Sequence, residues 1–136
     1  MKTNYEQIVD VTKIGQHSAA NMNAIFAMAE QERFTASIDD SPRRLLLCID
    51  VQKDFIEGGA LAVPGSIGDV ERMTRFIYNN IEGISSIMCS LDTHIAHQIF
   101  HPCWWVNSAG DHPDPYTVIT YDDVANNRWR PVIGNP

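Results

Sequence analysis

Two acids stand where apolar runs end, and each is of a type that can move a proton or hold a cation. Leu45 to Ile49 is apolar and stops at Asp50; Ile84 to Leu91 stops at Asp92. An ionised carboxylate in such a place serves as a general base or as an oxygen ligand. Asp92, Thr93 and His94 make an Asp-x-His triplet. Alternate residues of an extended segment face one way, so Asp92 and His94 can meet a single ion. Carboxylate plus neutral imidazole suits zinc, iron or manganese without choosing among them. Four of the five histidines, at 94, 97, 101 and 112, fall in this part of the chain. The plain alternative for each acid is a helix cap or a loop carboxylate that binds backbone amides, and loop histidines are often solvated or cap helices.

The elements that must position these residues follow from the apolar pattern. Leu45 to Ile49 carries no alternation, as expected of a parallel strand buried on both faces. Gly58, Gly59, Pro64 and Gly65 punctuate the loop that follows. Ser66 is expected to cap a helix from about Ile67 to Asn80, with Val70, Met73, Ile77 and Ile81 on one face, and Gly83 ends it. Ile84 to Leu91 reads as the second strand. Strand, helix and strand make a βαβ unit and imply an α/β fold with a parallel sheet. In such sheets the ligand crevice lies beyond the carboxyl ends of the strands, so topology directs both Asp50 and Asp92 toward it.

The flanks are less regular. Residues 4 to 33 have a helical rhythm broken near Gly15, as one interrupted helix or two short ones, and read as a packing or oligomerisation arm. The expected division is a helical extension over 1–40 and the α/β portion over 41–136. Thr117 to Thr120 suits a short strand and Asp122 to Asn126 a helical turn. The closing NNRWRPVIGNP shows no further element, which suggests an incomplete sheet. Trp104 and Trp105, beside the histidines, suit a substrate wall or packing beneath a loop equally well.

The chain has 136 residues, 44% hydrophobic, enough for one domain with a sizeable core. Ten basic against seventeen acidic side chains leave a net charge of −7, which argues against nucleic acid or an anionic membrane as partner. No secretory signal pattern opens the chain, and no apolar run reaches membrane-spanning length. Cys48, Cys89 and Cys103 are an odd set without metal-type pairing, as expected of reduced thiols in a cytoplasmic protein.

DVQKDF, then EGGALAVPG, a helix and a strand ending LDTH resemble the nicotinamidase/isochorismatase-like cysteine hydrolase superfamily. Leu91 to Ile119 resembles a longer-chain branch of it, and the likeness runs from about 43 to 131. The resemblance implies a three-layer α/β/α fold with a parallel sheet and an Asp-Lys-Cys triad. Asp50 falls on the triad aspartate, which takes the thiol proton. Asp92 and His94 fall on two metal ligands, and His101 approximates a further one at a spacing shifted by about one residue. Phe55 matches an aromatic near the substrate ring, Gln52 lies beside it, and Trp105 is a further candidate for substrate contact.

The family's lysine and nucleophilic cysteine follow later strands, and neither has a counterpart here. Lys53 is the last lysine and does not match the triad position. Cys48 and Cys89 lie on strands, and no helix start follows Cys103 to activate its thiol. The resemblance thus implies the N-terminal portion of an amidohydrolase acting on a small carboxamide, with a divalent metal as cofactor. Its partner would be a complementary C-terminal half or a second copy. A binding or oligomerisation module that has lost catalysis is the alternative. A metal-dependent hydrolase using Asp50, Asp92 and His94 without cysteine is a third.

Overall fold

The computed structural model describes residues 1–95 and 97–132. They form two compact units, one over 1–91 and one from Asp92 onward.

The first unit is built on a βαβ unit. Strand β1, Leu45–Cys48, pairs in parallel with β2, Ser86–Cys89, through the register Leu45 to Ser86 and Cys48 to Cys89. Parallel strands need a crossover, and helix α3, Ser66–Asn80, supplies it. On α3 the expected apolar face of Val70, Met73 and Ile77 is half-buried, whereas Phe76 is exposed. Gly65 caps α3 at φ 83°, a left-handed conformation natural to glycine. Ser66 is therefore not the cap but the first helical residue. Its hydroxyl is drawn instead to the amide of Glu57, which donates to Oγ at 2.9 Å.

The expectation of strands buried on both faces is corrected. Leu45, Leu47, Ile87 and Met88 are exposed, and within β1 only Cys48 is buried. The sheet holding β1 and β2 has two strands, so among the described residues no further strand extends either edge. Apolar strand residues need covering layers on both faces to leave water.

The N-terminal arm is two short helices rather than one long one: α1, Tyr5–Ile8, and α2, Met22–Ala29. The interruption lies where expected. Gly15 has φ 79°, and a Cβ there would come within 2.8 Å of Ile56 Cγ2. The arm's first residues pack on α3. Tyr5 meets Tyr78 edge-on at 5.6 Å between ring centroids, and its hydroxyl lies 2.7 Å from Thr74 Oγ1. Tyr78 donates its hydroxyl to the carbonyl of Thr3 at 2.8 Å, and the Arg75 guanidinium sits 4.3 Å over the Tyr5 ring. A cation over an aromatic face adds to the burial of both rings. In contrast, Met22 and Phe26 of α2 stand exposed.

In the second unit, β3, Trp105–Val106, pairs antiparallel with β4, Arg130–Pro131. The tail expected to carry no element thus contributes a strand, while 133–136 lie outside the described residues. Between them is α4, Tyr121–Ala125. Its cap is a reciprocal pair: Asp123 N donates to Thr120 Oγ1 at 3.2 Å, and Thr120 N donates to Asp123 Oδ2 at 2.9 Å. Thr117 to Thr120 is not a strand. Tyr116 has φ 65°, and Thr117 bonds back to the carbonyl of Asp114 through its amide and its hydroxyl, which turns the chain into that cap. No helix among the described residues is long and apolar enough to cross a membrane.

Candidate functional site

Asp50 ends β1 in a way that apolar periodicity does not explain. Its φ is 57°, in the left-handed region. Aspartate enters that region more readily than most residues, because its short polar side chain bonds locally, yet non-glycine residues there are uncommon. Such conformations persist where neighbours hold them, and they gather at functional sites. Here the holder is Ser90. The Asp50 amide donates to Ser90 Oγ at 3.0 Å, and the Ser90 hydroxyl reaches Asp50 Oδ1 at 3.4 Å. Ser90 is itself fixed by its amide, which donates to the carbonyl of Cys48 at 2.9 Å. The Asp50 carbonyl accepts from Gln52 N at 2.9 Å, closing the turn. The carboxylate is left exposed to solvent at the carboxyl end of the strand.

The loop after Asp50 carries Gln52 and Phe55 and folds back on itself. Phe55 N donates to the carbonyl of Gln52 at 3.0 Å, forming one tight turn over Lys53–Phe55. Leu61 N and Val63 N then return to the carbonyls of Asp54 and Phe55 at 2.8 and 3.0 Å. Gly59 makes this possible: a Cβ there would press against the carbonyls of Lys53 and Asp54, within 2.6 Å of the latter oxygen. Gln52 and Phe55 are both half-buried. Two concavities of this unit, about 390 and 420 Å³, lie elsewhere and do not include Asp50.

Asp92 and His94 open the second unit and lie within hydrogen-bond distance of each other. His94 Nε2 lies 3.0 Å from Asp92 Oδ2. The His94 ring is tilted against Phe100 at 4.2 Å and set edge-on to His101 at 6.1 Å between centroids. His101 Nε2 is buried and has no hydrogen-bond partner among the described residues. A buried, unsatisfied imidazole nitrogen costs free energy unless something bonds to it. These are donors of the right chemistry for a borderline divalent metal. Their placement is less complete, because among the described residues no three of His, Cys, Asp or Glu converge on one point. The arrangement present is a carboxylate–imidazole pair.

The other candidates have local partners. Trp105 donates its indole N–H to the carbonyl of Ile99 at 2.8 Å, and its own carbonyl accepts from His112 Nδ1 at 2.7 Å. His97 packs on Trp104 at 5.2 Å between ring centroids. Sequence reasoning passed over Ser90. Its only signal is a hydroxyl at the end of the second apolar run, one place beyond the residue paired with Cys48.

Over 90 residues the chain is 34% identical to the nicotinamidase of Escherichia coli (strain K12). The match takes in 65% of this chain and 38% of that protein, so the chain spans about two fifths of the relative's length. No family profile matches the chain, and no solved structure does. The likeness to a nicotinamidase and the α/β character of the first unit point in the same direction.

Proposed function

We propose that this chain carries the aspartate-bearing portion of a nicotinamidase-like amidohydrolase that acts on small carboxamides. The observation that carries the reading is Asp50, held in a left-handed turn at the carboxyl end of a parallel strand by Ser90. The identity with a nicotinamidase supports it. In the chemistry that this implies, Asp50 takes the proton of a cysteine thiol. The thiolate then adds to the carboxamide carbonyl, and ammonia leaves with the proton as the acyl thioester forms. Water then cleaves the thioester. Gln52 and Phe55 would border the substrate. The cysteine and the lysine of such a triad would come from a complementary segment, and the exposed apolar faces of β1 and β2 are the surface that it would cover. Within the second unit, Asp92 and His94, with His101 as a third donor, would hold a divalent metal, which would supply Lewis-acid polarisation of a bound water.

A chimera tests this. The 90 matched residues of the Escherichia coli nicotinamidase are replaced by their counterparts from this chain, and ammonia release from nicotinamide is followed. Turnover that Asp50→Asn abolishes, with the circular dichroism spectrum unchanged, is the expected result. Turnover indifferent to Asp50→Asn would sink the assignment.

The same exposed faces favour a second reading, an interaction module without catalysis. That module would associate with itself or a partner through β1 and β2, and a folded, monomeric chain in sedimentation would count against it.

A further inference from the structure

Cys48 and Cys89 face each other in the parallel register of β1 and β2. Residues paired in register project to the same face of a sheet, from strands about 4.8 Å apart. That separation lies inside the roughly 4.4–6.8 Å between Cα atoms that a disulfide spans. The two thiols differ in access: Cys48 is buried and Cys89 is exposed. Burial, and then the neighbouring Cys89 thiol, push the Cys48 thiol pKa up. Cys48 is therefore a poor first nucleophile, and Cys89 is the one that solvent reagents reach.

We propose that Cys48 and Cys89 are a modification site: a cross-strand dithiol that closes to a disulfide by exchange with a small disulfide such as oxidised glutathione. The Cys89 thiolate attacks one sulfur of the reagent, forming a mixed disulfide and releasing one glutathione thiolate. The Cys48 thiolate then attacks Cys89 Sγ, breaking the mixed bond and releasing the second. The two thiol protons pass to the two departing glutathiones, and the protein loses the two electrons that the reagent gains. The bond would staple β1 to β2 one residue before Ser90 and two before Asp50, fixing the turn on which the carboxylate sits. Nothing in this step depends on the amidohydrolase reading.

The test uses the full chain with Cys103→Ser, which removes the competing thiol. It is equilibrated in glutathione redox buffers, alkylated and digested. Both alkylation sites should be lost together, with a linked peptide pair joining Cys48 to Cys89, and dithiothreitol should restore both. Adding Cys48→Ala should stop the reaction at a glutathione adduct on Cys89. A stable adduct on Cys89 with Cys48 still alkylated in the Cys48-bearing chain would overturn the proposal. So would Cys89-linked dimers, or two thiols unchanged at every buffer ratio; these readings do not require the Cys48 variant to fold.

Discussion

Asp50 and Ser90 are joined across β1 and β2 by a 3.0 Å hydrogen bond from the aspartate amide to the serine hydroxyl. That bond replaces the ladder partner which β1 loses when Asp50 turns to φ 57°, so a strained backbone and a satisfied amide coexist at one residue. Removing the hydroxyl separates them. Ser90→Ala should lower stability by about 1 kcal/mol, the net worth of a typical hydrogen bond. It should also raise the exchange rate of the Asp50 amide while leaving the β1 amides protected. Equal exchange at Asp50 before and after the change would show that Ser90 does not hold the turn.

The left-handed turn predicts a conflict between stability and function at one position. Glycine occupies φ near +57° without a Cβ penalty, whereas alanine meets roughly 1 kcal/mol of steric cost there. Asp50→Gly should therefore unfold in urea at a midpoint no lower than the parent, and Asp50→Ala at a clearly lower one. Both should inactivate the nicotinamidase chimera. A stable Asp50→Ala protein would mean that the local backbone relaxes easily and stores no strain.

Gly59 makes a different demand, on space rather than dihedral angle. With the Lys53 and Asp54 carbonyls in the space a Cβ would take, Gly59→Ala has backbone to displace. A loss of about 2–3 kcal/mol is expected, at the upper end for single substitutions. Neighbouring Gly58 offers the control: no atom lies within 4 Å of a Cβ there, although its φ of 86° is itself unfavourable to alanine. Gly58→Ala should be the milder of the two in thermal unfolding, and the reverse order would contradict the packing of this loop.

The parts of the fold legible in the sequence are those set by local pattern. The uninterrupted apolar run of β1, the spacing of Val70, Met73 and Ile77 on α3, and the break at Gly15 all report what a short segment does with its own side chains. Ser90 was not legible, because its role depends on register across the sheet, which no local pattern encodes. Trp105 suited a substrate wall or packing beneath a loop equally well, and the bond of its indole N–H to the carbonyl of Ile99, six residues earlier, is a local detail that composition does not encode. Exposure of Leu45, Leu47, Ile87 and Met88 was hidden for a related reason. Apolar composition states what a strand would bury, not whether a covering layer is present.

The Asp92–His94 pair and the unsatisfied nitrogen of His101 make a metal proposal that needs no turnover assay. Titration of the chain with Co²⁺, followed by visible absorption, should show one binding event. His94→Ala should weaken it by more than about a hundredfold, beyond the roughly 10–100-fold that loss of an outer contact costs. His101→Ala decides whether the buried Nε2 is a third donor or a packing feature: a comparable loss makes it a ligand. Affinity unmoved by His94→Ala would remove the metal from this corner.

The N-terminal anchor carries a pH dependence whose sign can be worked out. Lys2 N donates to both Glu32 carboxylate oxygens at 2.9 Å, and Thr3 N to one of them at 2.7 Å. These backbone donors, Lys2 foremost, hold the Glu32 pKa down to about 2 from its ordinary 4.5, against the opposing effect of burial. A carboxylate with a lowered folded-state pKa contributes its stabilisation in full above the ordinary value, and loses it as pH falls through the lowered one. The tie between residues 2–3 and Glu32 should thus be complete above about pH 4.5, weaken as the pH drops below that, and be gone below about pH 2. The carboxyl carbon shift of Glu32 should titrate near the lower value, with the Tyr5 ring resonances following because Tyr5 packs on Tyr78, whose hydroxyl bonds the Thr3 carbonyl. Glu32→Gln should leave those Tyr5 resonances without this transition. A Glu32 midpoint near 4.5 would show that the two backbone donors do not hold the carboxylate in solution.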